Sequence, residues 1–258
     1  MKRILARANR GILEHFMQPG TLIAFDYDGT LAPIAANPAQ ARMRQKTRAL
    51  LKAVASRRDV IVITGRARAD VNRFLAGIPL RGVIGNHGLE TPGRPPRGVS
   101  RRVAAWHAEL RTRLEGLQGA VIEDKRYSLA VHYRACSDRA SARRRIHHVA
   151  NALDGARLIG GKAVLNVMPV EAPDKGIALL RAREDLSCRL ALYVGDDDTD
   201  EDVFGLRRPE MVLGIRVGQR RSSQASYALH NQLEVDDLLA ILVESADAQK
   251  RIIVSAEN

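Results

Sequence analysis

Short apolar runs at 22–25, 60–63, 82–84, 190–194 and 211–217 alternate with stretches of 3.6-residue helical spacing at 45–56, 69–75, 175–184, 201–206 and 235–243. No other feature of the chain constrains its fold as much. Each apolar run reads as a buried strand, and strands that alternate with amphipathic helices build a parallel sheet. The expected fold class is α/β: a doubly wound, Rossmann-like parallel sheet with helices on both faces. In such sheets ligands bind outside the carboxyl ends of the strands. The residues that leave each apolar run are therefore the first place to look for chemistry.

The alternation is interrupted once. Thr91-Pro92-Gly93-Arg94-Pro95-Pro96-Arg97-Gly98 has the composition of a linker. Beyond it the spacing predicts a long helix over 101–116, strands near 120–124 and 127–134, and a helix near 138–153. Two more strands, near 156–160 and 162–167, are expected to join through Gly160-Gly161. Pro169 and Pro173 mark the return to the first pattern. The expected organisation is a discontinuous core of residues 1–94 and 169–258, with 95–168 inserted as an α/β cap. A chain of 258 residues is long enough for both. Its first residues read as an amphipathic helix that ends near Pro19-Gly20, with Leu5, Leu13 and Phe16 inward.

Composition excludes several classes. No apolar stretch approaches the roughly 20 residues that span a bilayer. No continuous apolar segment follows the basic N-terminus, so a signal peptide is not expected. Cys136 and Cys188 lie far apart without metal-ligand spacing, which suits a reducing cytoplasm. The net charge is +12, yet the arginines are scattered and aromatics make up only 4%. A nucleic-acid binder concentrates its cations on one patch and interleaves aromatics. The positive field reads instead as solvated surface that also attracts an anionic substrate.

Four strand ends carry chemistry. After the run at 22–25 comes Asp26-Tyr27-Asp28-Gly29-Thr30. Two carboxylates one residue apart, with a glycine that allows a tight turn, suit a nucleophile beside an acid/base. After the run at 60–63 come Thr64-Gly65-Arg66, where a hydroxyl and free backbone N–H groups can hold phosphate oxygens and an arginine can engage an anion or sugar hydroxyl. Lys175 stands at the start of a helical run, an unfavourable place for a cation unless it neutralises Asp26 and a phosphate. After the run at 190–194, Asp196-Asp197-Asp198-Thr199-Asp200-Glu201-Asp202 places six carboxylates in seven residues. Thr199 or Asp198 as an N-cap accounts for one or two of them. A magnesium ion, which takes few carboxylates and binds substrate phosphate, accounts for the density.

The first of these motifs resembles that of the haloacid dehalogenase-type phosphatases, and the four sites follow in the chain order of that superfamily. A narrower resemblance comes from 26–34, Asn86-His87-Gly88-Leu89-Glu90, the segment 127–134, the segment 195–204, and a tail with Val217-Gly218 and Ser223-x-Ala225-x-Tyr227. Together these are similar to the trehalose-6-phosphate phosphatase family over about residues 20–245. The resemblance implies that Asp26 attacks phosphorus and Asp28 shuttles the proton. It implies Mg²⁺ held by the Asp26 carboxylate, the Asp28 carbonyl and Asp196, with Asp197 and Asp200 orienting metal-bound water. Thr64 and Lys175 would grip the phosphate.

A sugar phosphate also needs a second polar surface. On the inserted segment the candidates are Glu123 and Lys125, two apart on one strand, His132 and Arg134 on the next, then Lys162 and Asn166. From the core, Gly65, Arg66, Asn86, His87 and Gly88 are expected to meet the substrate, with Glu90 beside them. One position departs from the family: Asn166 stands where a glutamate is typical of a Gly-Lys-x-x-x-Glu pattern. Trehalose 6-phosphate is the expected substrate, with glucosylglycerol phosphate, mannosylglycerate phosphate and sucrose phosphate as the alternatives.

Overall fold

The computed structural model describes residues 1–35 and 38–256. Seven parallel strands form one sheet: β1 (Lys2–Arg3), β2 (Thr21–Phe25), β3 (Val60–Ile63) and β4 (Gly82–Ile84) from the first part of the chain, and three more from its last part. Between them lies a second, antiparallel sheet of β5 (Val121–Asp124), β6 (Leu129–His132), β7 (Ala156–Gly161) and β8 (Val164–Pro169), in the order β5-β6-β8-β7. The chain then completes the first sheet with β9 (Leu190–Gly195), β10 (Val212–Val217) and β11 (Tyr227–Leu229), giving the order β1-β11-β10-β9-β2-β3-β4. β2 and β9 lie side by side at its centre, with Phe25 opposite Val194. The two acidic motifs consequently leave the sheet next to one another.

Alternation along the strands explains the layers. On β2, Ile23 and Phe25 face one way and pack with α1 (Arg10–Phe16), α2 (Gln45–Ala55) and α3 (Arg68–Leu75). Leu22 and Ala24 face the other way, toward helices that follow the second sheet. In that second sheet, Leu129, Val131, Leu165 and Val167 pack under α4 (Val99–Arg113) and α5 (Arg139–Asn151). The chain returns through α6 (Lys175–Asp185) and the short α7 (Glu201–Phe204), which cover the Leu22 face of the large sheet, and ends in α8 (Glu234–Ala256), which joins α1–α3. Each fully buried Leu or Ile contributes about 1.5–3 kcal/mol, which is why both faces of the central strands are apolar until the chemistry begins.

Three local expectations are corrected. The N-terminus opens with β1, paired to Tyr227 and Ala228, before a single 3-10 turn and α1. A two-residue strand carries no periodicity for sequence reasoning to detect. Gly160 and Gly161 lie inside β7, opposite Leu165 and Val164. The turn is made by Lys162 and Ala163, the latter at φ 61°. Finally, α8 extends well beyond 243, where Asp247 and Gln249 accept from Arg57 and Arg58 just after α2.

Candidate active site

The carboxyl ends of β2, β3 and β9 meet the N-terminus of α6. Asp26 leaves β2 almost wholly buried, and Lys175, 1% exposed, reaches it from the first turn of α6. Lys175 Nζ donates to Asp26 Oδ1 at 2.9 Å and to Asp200 Oδ1 at 2.7 Å. Burial works against the ammonium, but the two carboxylates outweigh it and hold the lysine charged. Asp174 caps the helix by accepting from the Ile177 N–H at 2.7 Å, which fixes where Lys175 begins.

Asp26, Asp196 and Asp200 each place a carboxylate oxygen within 4.8 Å of the others. Burial raises the Asp26 carboxyl well above its ordinary value, and Asp200, Asp196 and Asp28 add to the rise against the pull of Lys175. Burial, then Asp200 and Asp197, push Asp196 up to about 7. One lysine leaves this group short of positive charge, so the donor set fits a hard divalent cation bound by oxygen. Gly29 is required here: at φ 84°, a Cβ would stand 2.2 Å from Asp196 Oδ2. Thr30 Oγ1 donates to Asp196 Oδ1 at 3.4 Å.

The acidic loop is braced from below. Tyr193 donates its hydroxyl to Asp200 Oδ1 at 2.6 Å, and the Asp197 N–H donates to Asp200 Oδ2 at 2.8 Å. Asp197, not Thr199 or Asp198, is the cap of the turn at 198–200. Arg216 on β10 is nearly buried; its guanidinium donates to the Asp196 carbonyl at 2.5 Å, the Asp197 carbonyl at 3.2 Å and Glu201 Oε1 at 2.8 Å. Sequence reasoning missed Tyr193 and Arg216. The signal for Arg216 was present: a lone cation inside an apolar strand must have partners.

Asp28 turns away from this cluster. Arg66 grips it with Nε to Oδ2 and Nη2 to Oδ1, both 2.6 Å. The guanidinium lies 5.4 Å from the ring centres of both Tyr27 and Phe74. Burial lowers the guanidinium's proton affinity, but the Asp28 hydrogen bonds outweigh it and keep the arginine charged. Phe74, like Tyr193, carried no sequence signal.

A cavity of about 880 Å³ joins these residues to the second sheet. Its floor holds Asp26, Asp28, Thr64, Gly65, Arg66, His87, Lys175, Asp196 and Asp197. Its opposite wall holds Glu123, Lys125, His132, Arg134, Lys162 and Asn166. The sheet register explains the wall: Glu123, Ala130 and Asn166 form one cross-strand row and Val121, His132 and Val164 the next, all on the face away from α4 and α5. His132 Nε2 lies 2.8 Å from Glu123 Oε2, and that hydrogen bond lowers the Glu123 carboxyl. Lys125 Nζ donates to the Gly65 carbonyl at 3.0 Å, and burial lowers its ammonium.

His87, at φ 55°, packs against Gly65, where a Cβ would stand 2.4 Å from its Cε1. Neither ring nitrogen has a partner in hydrogen-bonding geometry, although the Asn166 amide lies beside it. Burial, followed by Lys125, Lys175 and Arg157, drives its proton affinity well below the ordinary 6.5. The neutral ring offers one donor and one acceptor.

Three expected substrate contacts sit elsewhere. Asn86 is wholly buried behind the cavity wall, bonded to Glu90 Oε2 at 2.7 Å and to Ser128. Gly88 packs on the N-terminus of α6, where a Cβ would stand 2.8 Å from the Asp174 carbonyl. Glu90 Oε2 accepts from Asn86 and from the Arg68 N–H, both at 2.7 Å, which ties that oxygen to the turn. Hydrogen-bond demand inside the turn consumed these groups.

A parallel sheet with paired aspartates, a threonine, a lysine and an acidic loop at its carboxyl edge, and an antiparallel sheet facing them, defines the fold of the haloacid dehalogenase superfamily. The chain belongs to the trehalose-phosphatase family, whose model matches residues 24–234. It is 34% identical to Arabidopsis thaliana "Probable trehalose-phosphate phosphatase D" over 245 residues, which is 85% of this chain and 66% of that protein. The chain thus spans about two thirds of the length of the curated relatives it matches. Among solved structures, it resembles the C-terminal domain of a C. albicans trehalose-6-phosphate phosphatase with a TM-score of 0.74 at 24% identity, covering 92% of this chain and 97% of that one. A trehalose-6-phosphate phosphatase related protein gives a TM-score of 0.73 at 26% identity, covering 89% of this chain and 100% of that one.

Proposed function

We propose that this chain hydrolyses trehalose 6-phosphate to trehalose and phosphate with the aid of Mg²⁺, the step that completes trehalose synthesis. The observation that carries the reading is the Lys175 bridge between Asp26 and Asp200, set at the floor of a cavity whose other wall is lined with polar and charged side chains. Family membership supplies the substrate class.

Asp26 is the nucleophile. One carboxylate oxygen forms a bond to phosphorus while the bond from phosphorus to the sugar oxygen breaks, leaving an aspartyl-phosphate. Asp28 gives that oxygen its proton. In the second step Asp28 takes a proton from water, the water oxygen bonds to phosphorus, and Asp26 is released with inorganic phosphate. The Arg66 pair describes the ionised Asp28 that accepts this proton; the protonated form gives up one of the two hydrogen bonds. Thr64 and Lys175 hold the phosphoryl oxygens. A magnesium ion, held by the Asp26 and Asp196 carboxylates and the Asp28 carbonyl, would offset charge on those oxygens. Asp197 and Asp200 would orient its water, with Asp200 fixed by Lys175 and Tyr193.

Residues 95–168 act as the specificity cap. Glu123, Lys125, His132, Arg134 and Lys162 take sugar hydroxyls, and closing the wall excludes water from the transfer. His87 and Gly65 meet the sugar from the core. Asn166 favours a second reading, another glycosyl phosphate, because it lacks the charge and reach of the family's glutamate. Among the described residues no helix is long and apolar enough to cross a membrane. A cytoplasmic setting suits two buried, unpaired cysteines, and no nucleic-acid partner is invoked.

Phosphate release from trehalose 6-phosphate, glucose 6-phosphate, sucrose 6-phosphate and glucosylglycerol phosphate, with Mg²⁺ and with EDTA, tests the reading. Mg²⁺-dependent turnover of trehalose 6-phosphate well above glucose 6-phosphate is expected. Preference for a different glycosyl phosphate would keep the Asp26 chemistry and replace the substrate.

A further inference from the structure

Among the described residues, buried polar groups anchor one end of the cap sheet to the core, and no such group anchors the other. The anchored end is the turn between β5 and β6. That turn is tight: Arg126 stands at φ 70°, and the Lys125 N–H donates to the Ser128 carbonyl at 3.0 Å. Asn86 of the core meets it. Ser128 donates its hydroxyl to Asn86 Oδ1, and Asn86 Nδ2 donates to the Lys125 carbonyl at 3.3 Å. Both Asn86 and Ser128 are buried, with 0% and 1% exposure. Asn86 is itself held at φ 47° by Glu90. The Lys125 ammonium closes the circuit on the Gly65 carbonyl, inside the segment that supplies Thr64.

The linkers lie at the same end. β8 ends at Pro169 beside Ala156, and the chain leaves through Glu171 and Ala172, which accept from Arg102 and Arg157 of the cap. At the opposite end, where Val121, His132 and Val164 form a row, the hydrogen bonds among the described residues run within the cap: His132 with Glu123, and Arg134 with the Lys162 carbonyl. Val121 is 60% exposed there.

We propose that Asn86 is a positioning residue for substrate specificity: it pins the β5–β6 turn to the phosphate-binding edge, so that the cap pivots there and its far row swings over the sugar. Asn86 touches no substrate. It acts through Lys125, whose place relative to Thr64 and Gly65 it fixes. Buried hydrogen bonds suit a pivot, because breaking them without water costs more than breaking exposed ones. This inference rests on the cap's role in sugar recognition.

Ser128→Ala deletes one oxygen from the pin, and Asn86→Gly deletes the side chain while accepting φ 47° without strain. Both are compared with the unmodified chain by kinetics on trehalose 6-phosphate and p-nitrophenyl phosphate, and by amide hydrogen exchange. The expected result for each is a KM for trehalose 6-phosphate raised about tenfold, kcat on p-nitrophenyl phosphate held within about twofold, and exchange at 124–129 accelerated about tenfold or more. Unchanged exchange at 124–129 would overturn the pivot, as would equal losses on the two substrates. If the unmodified chain cleaved p-nitrophenyl phosphate but not trehalose 6-phosphate, the substrate reading would fall, while the exchange measurement would still decide the pivot.

Discussion

The two walls of the cavity are built in opposite ways. On the core side, Asp26, Asp200 and Lys175 are nearly sealed, and each charge answers another at 2.7–2.9 Å. On the cap side, the His132 and Glu123 side chains are more than a third exposed, and their contact is with each other. Buried charges without such partners cost several kcal/mol each, so the core arrangement is preorganised: it exists before substrate arrives. Half-exposed side chains remain adaptable and gain strength only when a closing cap excludes water. On the proposed function, the difference makes chemistry and selectivity separable, so that either should be able to fail while the other survives.

Asp26→Asn should break the core side most severely. Phosphate release is expected to fall by about 10⁴-fold or more on every substrate, with thermal unfolding showing an intact fold. Equal turnover by the variant would remove Asp26 as nucleophile. Lys162→Ala should act on the cap side alone. Loss of a charged hydrogen bond costs about 1.5–3 kcal/mol, so kcat/KM for trehalose 6-phosphate is expected to drop roughly 10- to 100-fold while p-nitrophenyl phosphate is spared. A matching loss on both esters would erase the separation between the walls.

Arg216→Gln sharpens the comparison from beneath. It frees the carbonyls of Asp196 and Asp197, and Mg²⁺ affinity, followed by titration calorimetry, is expected to weaken about 10- to 100-fold. Unaltered affinity would show that the acidic loop holds its shape without the arginine. The smallest effect belongs to His87, where the walls meet. Its folded proton affinity lies well below 6.5, so the unfolded chain binds the extra proton first as pH falls. The associated stability is complete above pH 6.5 and declines as pH drops from there toward the folded value. His87→Asn keeps a side chain that tolerates positive φ and removes this titration. Between pH 7.5 and 5.5 the variant should lose about 1 kcal/mol less stability than the unmodified chain, measured by denaturant unfolding at each pH.

The same contrast explains what could be read before the structure was seen. β3 and β4 fall on the expected residues because buried parallel strands are uninterrupted apolar runs with polar ends. Asp26, Thr64 and Asp196 converge because strand order places the ends of β2, β3 and β9 side by side, and Lys175 joins them from the first turn of α6. Asn86, Gly88 and Glu90 were read as substrate contacts because they follow a strand; a linear motif does not say which groups of a turn its own hydrogen bonds consume. Arg216 escaped notice because its three acceptors belong to a neighbouring strand's loop, 15–20 residues away. The turn at Lys162 and Ala163 was assigned to two glycines that lie within β7, since glycine usually marks positive φ and here alanine adopts it.

The order of the large sheet has a consequence for how the chain is made. β2 pairs with β3 at once, but its other neighbour, β9, emerges from the ribosome only after all of residues 95–168, and Lys2 waits for Tyr227. The antiparallel sheet and its two helices are local in the chain and can close while the large sheet is still half built. A nascent chain therefore displays Asp26 and Thr64 long before Lys175 and Asp196 exist to complete them. Lys175 and the acidic loop both follow the antiparallel sheet in the chain, so Asp26 acquires its charged setting only after that sheet has been made.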